Sequence, residues 1–353
     1  MLFEPLRLRT TAFRNRVWVS PMCQYSAENG IPGDWHFAHL GALATGGAGL
    51  VIAEMSAVVP EGRISPRCAG IWSDEHADAW RRIAGFVRSQ GAVPGIQLAH
   101  AGRKASTWWP WAEGRGTVPA EQGGWRTVAP SALAFDDFAE PRALSREELA
   151  GLVAAFAAAA RRAVDAGFEV LELHGAHGYL LHQFLSPLSN ERDDEYGGSL
   201  ENRARLLLEI VRAVRREAGD GIVLFVRLSA TDWVDGGWDL EQTTQLAPWL
   251  REAGADLLDI SSGGLDPRQR MAAGPGYQVP FAEHVRRETG IPVAAVGLIT
   301  EPAQAEAIVS SGQADAVLLG RQLLREPRFP LRAAHELGAE IEWPPQYLRA
   351  RPA

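Results

Sequence analysis

Cysteine is nearly absent from the 353-residue chain, with Cys23 and Cys68 the only two. So few exclude a disulfide framework and a cysteine-ligated metal cluster. Lysine is scarcer still: Lys104 stands alone among 35 basic residues, a bias that reads as genome composition rather than function. Positive charge falls short overall, and the net charge of −8 favours solubility and argues against a nucleic-acid partner. No apolar run reaches membrane-spanning length, and the opening MLFEPLRLRT has no apolar segment of the secretory-signal kind, so a cytoplasmic protein is expected. A glycine-rich phosphate turn after the first strand is also missing. That strand runs into Ser20-Pro21-Met22-Cys23, and the cluster Gly46-Gly47-Ala48-Gly49 precedes a strand instead of opening a helix, which disfavours a doubly wound dinucleotide fold.

What is present reads as one repeated unit. Strand-like runs at 16–20, 49–53, 93–99, 170–173, 222–228, 255–260, 293–296 and 314–319 alternate with helical patterns. The clearest helices are 75–89, 147–166, 200–218, 241–253 and 302–311, several closed by a glycine such as Gly91, Gly167, Gly254 or Gly312. Nearly all-apolar strands alternating with helices imply a buried parallel sheet. The expected fold is therefore α/β, a single (β/α)8 TIM barrel over 1–353, with a short N-terminal hairpin closing the floor. The connection 100–144, after the third strand, is anomalously long and carries Trp108, Trp109, Trp111 and Trp125. It reads either as a substrate-side lid or as a surface loop stapled down by its tryptophans.

The stretch 169–179, EVLELHGAHGY, changes abruptly from apolar alternation to polar residues. If it turns into a helix there, His174 and His177 share one side, close to Tyr179. Parallel α/β folds keep active sites at such strand ends. Taken alone, His-x-x-His also fits a pair of metal ligands or two satisfied, partly buried histidines. A hydrolytic metal barrel, however, would need His-x-His on the first strand, and no metal site is expected.

The other strand ends narrow the choice. Gly297 and Gly320-Arg321, after the seventh and eighth strands, suit a phosphate held by backbone N–H groups and a guanidinium. Gln97 offers one acceptor and two donors to a pyrimidine-like edge, and Arg227 sets positive charge beside a ring that gains electrons. Together these point to FMN.

The runs SPMCQYS (20–26), GIWSDEH (70–76), QLAHAGRKAS (97–106), ELHGAHGYLLHQFLSPLSNERDDEYGGSLENR (172–203) and Gly320-Arg321 resemble the Old Yellow Enzyme family, more narrowly its bacterial thermophilic-like branch of ene-reductases. The resemblance covers essentially the whole chain. It implies FMN contacts from Ser20, Pro21, Met22, Cys23, Gln97, Arg227, Gly320 and Arg321, beside the Gly297 of the strand-end reading, with Met55 at a flavin-adjacent position where a smaller residue is expected. It further implies that His174 and His177 grip a substrate carbonyl, that Tyr179 donates a proton, that Cys23 tunes the flavin and that Tyr25 contacts substrate. NADPH or NADH would reduce the flavin, and an activated alkene would reoxidise it. Iron–sulfur relatives need more cysteines and a further domain, and the chain has neither.

The tail 342–353 holds Pro344-Pro345, which should break the last helix and send an extended segment away from the barrel. In the resembling branch an arginine after Gln-Tyr reaches a neighbour's active site. This implies a homodimer or homotetramer in which Arg349 lines the partner's pocket; a frayed tail on a monomer is the alternative.

Overall fold

A computed structural model describes residues 1–352; Ala353, the last residue of the expected tail, lies outside the described residues. The chain opens with the hairpin β1 (Leu6–Leu8) and β2 (Thr11–Phe13). It continues through β3 (Val17–Val19), α1 (Asp34–Thr45), β4 (Leu50–Ala57), α2 (Asp74–Ser89) and β5 (Val93–Ala99). The excursion contributes β6 (Val128–Ala129) and β7 (Arg142–Ala143) before α3 (Arg146–Asp165). Then come β8 (Val170–Gly175), α4 (Leu180–Leu185), α5 (Leu200–Ala218), β9 (Val223–Ser229), α6 (Leu240–Ala253) and β10 (Leu257–Ser261). The chain closes with α7 (Val279–Thr289), β11 (Val293–Val296), α8 (Pro302–Ser310), β12 (Ala316–Leu319), α9 (Arg321–Arg325) and α10 (Phe329–Glu336). Strands β3, β4, β5, β8, β9, β10, β11 and β12 pair in parallel, in that order, and β12 returns to β3. This is the expected closed eight-stranded barrel.

Local chemistry sets the helix ends. Ser145 accepts the amide of Glu148 while the Glu148 carboxylate takes the Ser145 amide, and Asp239 accepts from Gln242 to open α6. Each such cap stabilises by about 1 kcal/mol. Gly254 and Gly290 stop α6 and α7 in the left-handed conformation that glycine adopts without steric cost.

Alternation along each strand layers the barrel interior. Trp18, Leu50, Ile52, Val93, Val170, Phe225, Leu257 and Leu318 belong to one fully apolar cluster. Phe13 of the hairpin seals it from below, its ring 4.8 Å from Trp18. Two residues further along their strands stand Ser20, Glu172, Arg227 and Asp259, all buried. The hydrophobic floor thus carries a polar layer directly above it. A bulge in β4 between Ala53 and Met55 resets the alternation. It brings Met55 and Ala57 into a cluster with Cys68, Ala99 and Ala101, against which Cys23, Tyr25 and Tyr179 pack.

One expectation changes. The tail does not extend away: Pro345–Ala350 forms a short 3-10 helix, and Tyr347 lies under the Arg328 guanidinium at 4.5 Å. The cation–π contact and the tighter turn outweigh the extending effect of the proline pair. In the long excursion, Arg67 covers Trp109 at 4.4 Å, Arg63 covers Trp125 at 4.9 Å, and Trp125 donates to the Glu61 carbonyl. Those two tryptophans staple the loop. Trp111 instead stands exposed beside Tyr25, ring centres 6.0 Å apart.

Candidate active site

The polar stretch after β8 is not helical where helix was expected. His174 still belongs to the strand, His177 has φ +58° and Gly178 φ +72°, and α4 begins only at Leu180. The tight turn, not a helical face, brings the pair together. A side chain at Gly178 would strike the Gly264 carbonyl at 2.2 Å, which leaves glycine the only fit. The imidazoles end 5.1 Å apart and nearly perpendicular, and the Tyr179 ring lies 4.9 Å from His174.

The turn is pinned from three sides. Lys104 Nζ donates to the carbonyls of His177 (2.9 Å) and Gly264 (2.8 Å). His182 Nδ1 accepts the Gly178 amide at 3.0 Å and is itself backed by Asp232 at 2.9 Å, both fully buried. Ser229 Oγ accepts the His177 amide at 3.0 Å. The lone lysine is therefore a structural member of the site.

Burial sets the protonation states. It pushes His174 and His177 well below the ordinary imidazole value, with Arg227 adding to the shift, so both are neutral near pH 7. Ala176 N–H points at His174 Nδ1, at 3.4 Å, which leaves the proton on Nε2. His177 Nε2 meets Ser261 Oγ at 2.7 Å. Burial, with Cys23, Tyr25 and Cys68 nearby, raises the Tyr179 phenol well above its usual range and keeps it protonated. Cys23 is raised too, first by its hydrogen bond with the Cys68 thiol and then by burial.

Beside this cluster a cavity of about 290 Å³ opens between the ends of β3, β9, β10, β11 and β12. Ser20, Met22, Arg227, Gly297, Gly320 and Arg321 line it, with Ser261 joining it to His177. Pro21 sits between two of these residues. Arg227 Nη1 donates to Ser20 Oγ at 3.0 Å, and Gln97 lies in the same polar layer, its Nε2 bonded to Glu172 at 2.7 Å. A fork of cationic donors, two glycines permitting close approach and an amide facing the barrel axis fit FMN, phosphate and ring edge together. Met55 is fully packed in the cluster with Cys23 and Tyr179, where a flexible thioether adapts more readily than a branched side chain. Arg349 is not brought to this site; it is exposed in the tail turn.

Comparison with known proteins now settles the family. Residues 1–340 match the NADH:flavin oxidoreductase / NADH oxidase family. The chain belongs to it. NADPH dehydrogenases of Listeria monocytogenes and Geobacillus thermodenitrificans are each 47% identical over 352 residues, 99% of this chain and 98% of theirs. Morphinone reductase superposes with a TM-score of 0.79 at 30% identity, covering 98% of this chain and 92% of that one. The old yellow enzyme homologue of Zymomonas mobilis gives 0.79 at 27% identity, with 100% and 99% covered. The chain is thus an NAD(P)H:FMN oxidoreductase of the Old Yellow Enzyme type.

Several members of the site escaped the sequence reading. Glu54 accepts the Gln24 amide at 3.2 Å and pairs with His36 at 3.0 Å, holding the loop that carries Cys23 and Tyr25. Glu172, Asp259, Ser261 and Lys104 were missed as well. Glu172 and Asp259 had a signal: each is a lone carboxylate flanked on both sides by apolar strand residues, Leu171 and Leu173 or Leu258 and Ile260.

Proposed function

We propose that the enzyme reduces activated alkenes such as enones, maleimides and nitroalkenes. The observation that carries this reading is the convergence of two neutral imidazoles and a protonated phenol, with the His177 and Tyr179 rings 5.1 and 4.9 Å from His174, joined to the cofactor cavity through Ser261. Bound FMN, once reduced by a nicotinamide, supplies the hydride for the alkene β-carbon.

The chain's own residues do the rest. His174 Nε2–H donates to the carbonyl or nitro oxygen and draws electron density towards it. His177 can donate alongside only if its proton sits on Nδ1, which requires Ser261 to donate to Nε2. Ser261 Oγ can donate either to Gln278 Oε1 at 3.4 Å or to His177 Nε2 at 2.7 Å, and the shorter contact directs its proton to the imidazole. One such donor to a developing oxyanion is worth about a hundred- to a thousandfold in rate. Tyr179 then gives its proton to the α-carbon, a contribution on the order of a hundred- to ten-thousandfold. Cys23 would tune the bound ring, and Tyr25 would close the substrate side. Ser20, Gln97, Arg227, Gly297, Gly320 and Arg321 would hold the cofactor. Arg349 is assigned to a partner's substrate pocket in a homodimer or homotetramer; its exposure and its place outside the lining of the chain's own cavity support that role.

The test is anaerobic reoxidation of dithionite-reduced protein by 2-cyclohexenone, N-methylmaleimide and a nitroalkene. Reoxidation by at least one of them is expected. A reduced flavin that none of them reoxidises would refute the alkene assignment.

A further inference from the structure

Directly beneath the cofactor cavity two carboxyl groups lie side by side with no solvent. Strand register puts them there: Glu172 of β8 stands opposite Gln97 of β5, and Asp259 of β10 opposite Arg227 of β9. Both carboxyls are fully buried and close enough for one to donate to the other when protonated, and both oxygens of Asp259 lack a hydrogen-bond donor from any other residue. Gln97 Nε2 donates to Glu172 Oε1 at 2.7 Å, while Arg227 Nε stands 3.1 Å from Asp259 Oδ2, within ion-pair distance but not aligned as a hydrogen bond. Glu172 Oε2 has no other partner. The floor below offers none, because Phe225 and Val170 are apolar and the Trp18 indole N–H is given to the Asn15 carbonyl at 3.0 Å.

We infer that Glu172 and Asp259 share a single proton, carried on Glu172, and act as the positioning pair for the ring edge of FMN. Two ionised carboxylates in contact would leave the layer with one uncompensated buried charge, which costs several kcal/mol. One proton makes the set neutral, with Arg227 positive and Asp259 negative. Burial raises both acids, and raises Glu172 further, since Arg227 favours the ionised form of Asp259 beside it.

The consequence reaches the cofactor through two side chains. A neutral Glu172 donates its O–H to Asp259 and uses Oε1 to accept from Gln97. That fixes the Gln97 amide, nitrogen towards Glu172, so its oxygen and second N–H meet the ring in one order only. An amide flip would exchange donor for acceptor against the pyrimidine edge. Asp259 meanwhile tempers the positive charge that Arg227 presents to the ring.

The inference rests on FMN contacts by Gln97 and Arg227, so the tests separate the two. Infrared spectra of cofactor-free protein at pH 7 should contain the C=O band of a buried protonated acid, absent in Glu172→Gln. Glu172→Gln keeps the shape of the protonated acid and its hydrogen bonds, and should hold FMN within about threefold of wild type. Glu172→Ala should weaken FMN binding at least tenfold, with Gln97→Ala adding little to it in the double variant. Asp259→Asn should favour the reduced flavin by about tenfold, which is about 30 mV for a two-electron couple. A packing role alone would not move that potential. Absence of the acid band, or FMN loss in Glu172→Gln as deep as in Glu172→Ala, overturns the inference. Wild-type protein that purifies without FMN would contradict the cofactor assignment instead, while the infrared band would still report on the pair.

Discussion

Lys104 Nζ lies 2.9 Å from the carbonyl oxygen of His177, so the only lysine of the chain anchors the turn that carries both histidines. Burial, with Arg103 close by, lowers its pKa from 10.5 to about 8. The native state therefore releases this proton before the unfolded chain does. Between about pH 8 and 10.5 the unfolded state binds more protons at this position, and the Lys104 contribution to stability rises with pH across that window. Chemical denaturation of wild type and Lys104→Met from pH 7 to 10 should give a stability difference that grows with pH. A constant difference would mean that the amine titrates as it does in water.

His174→Ala and His177→Ala should each weaken binding of 4-hydroxybenzaldehyde by about tenfold or more while leaving FMN in place, because one hydrogen bond to a charged ligand is worth about 1.5 to 3 kcal/mol. Both imidazoles are held well below the ordinary range, so between pH 6 and 8 neither should add a titration to the binding curve. Spectral titration of the flavin checks both points. Unchanged affinity in the double variant would remove the substrate role.

Ser261→Ala separates the two histidines. Without the hydroxyl, the proton of His177 is free to sit on Nε2, and one donor to the substrate oxygen is lost. The ligand affinity of this variant should approach that of His177→Ala. Wild-type affinity would place the Nδ1 proton under other control.

The barrel was legible because the strands are largely apolar runs and several helices begin on a recognisable cap or end on a glycine. The histidine pair was legible as an abrupt polar change at a strand end. Its conformation was not: His-x-x-His has helical spacing, yet the close approach of Gly264 to Gly178 forces a left-handed turn, and that contact spans more than 80 residues of sequence. Glu54 and Lys104 act through partners on other strands and loops, so neither spacing nor periodicity along one segment reveals them. The tail was misjudged for a related reason. The stabilising contact of Tyr347 is with Arg328, outside the segment whose prolines were considered.

Deleting residues from Gln346 onward removes Tyr347 and Arg349 together. The truncated protein should lose its oligomeric state in light scattering and show a raised Michaelis constant for an enone, with FMN retained. Arg349→Ala alone should raise the Michaelis constant without changing the mass. Full retention of both properties by the truncation would end the shared-site assignment.

The central claim is that Tyr179 supplies the proton for alkene reduction, and stopped-flow measurement of the two half-reactions in Tyr179→Phe addresses it most directly. Reduction of the flavin by NADPH needs no proton from this side chain and should stay within about threefold of wild type, whereas reoxidation by 2-cyclohexenone should slow by about a hundredfold or more. Equal slowing of both half-reactions, or reoxidation at the wild-type rate, would contradict the account.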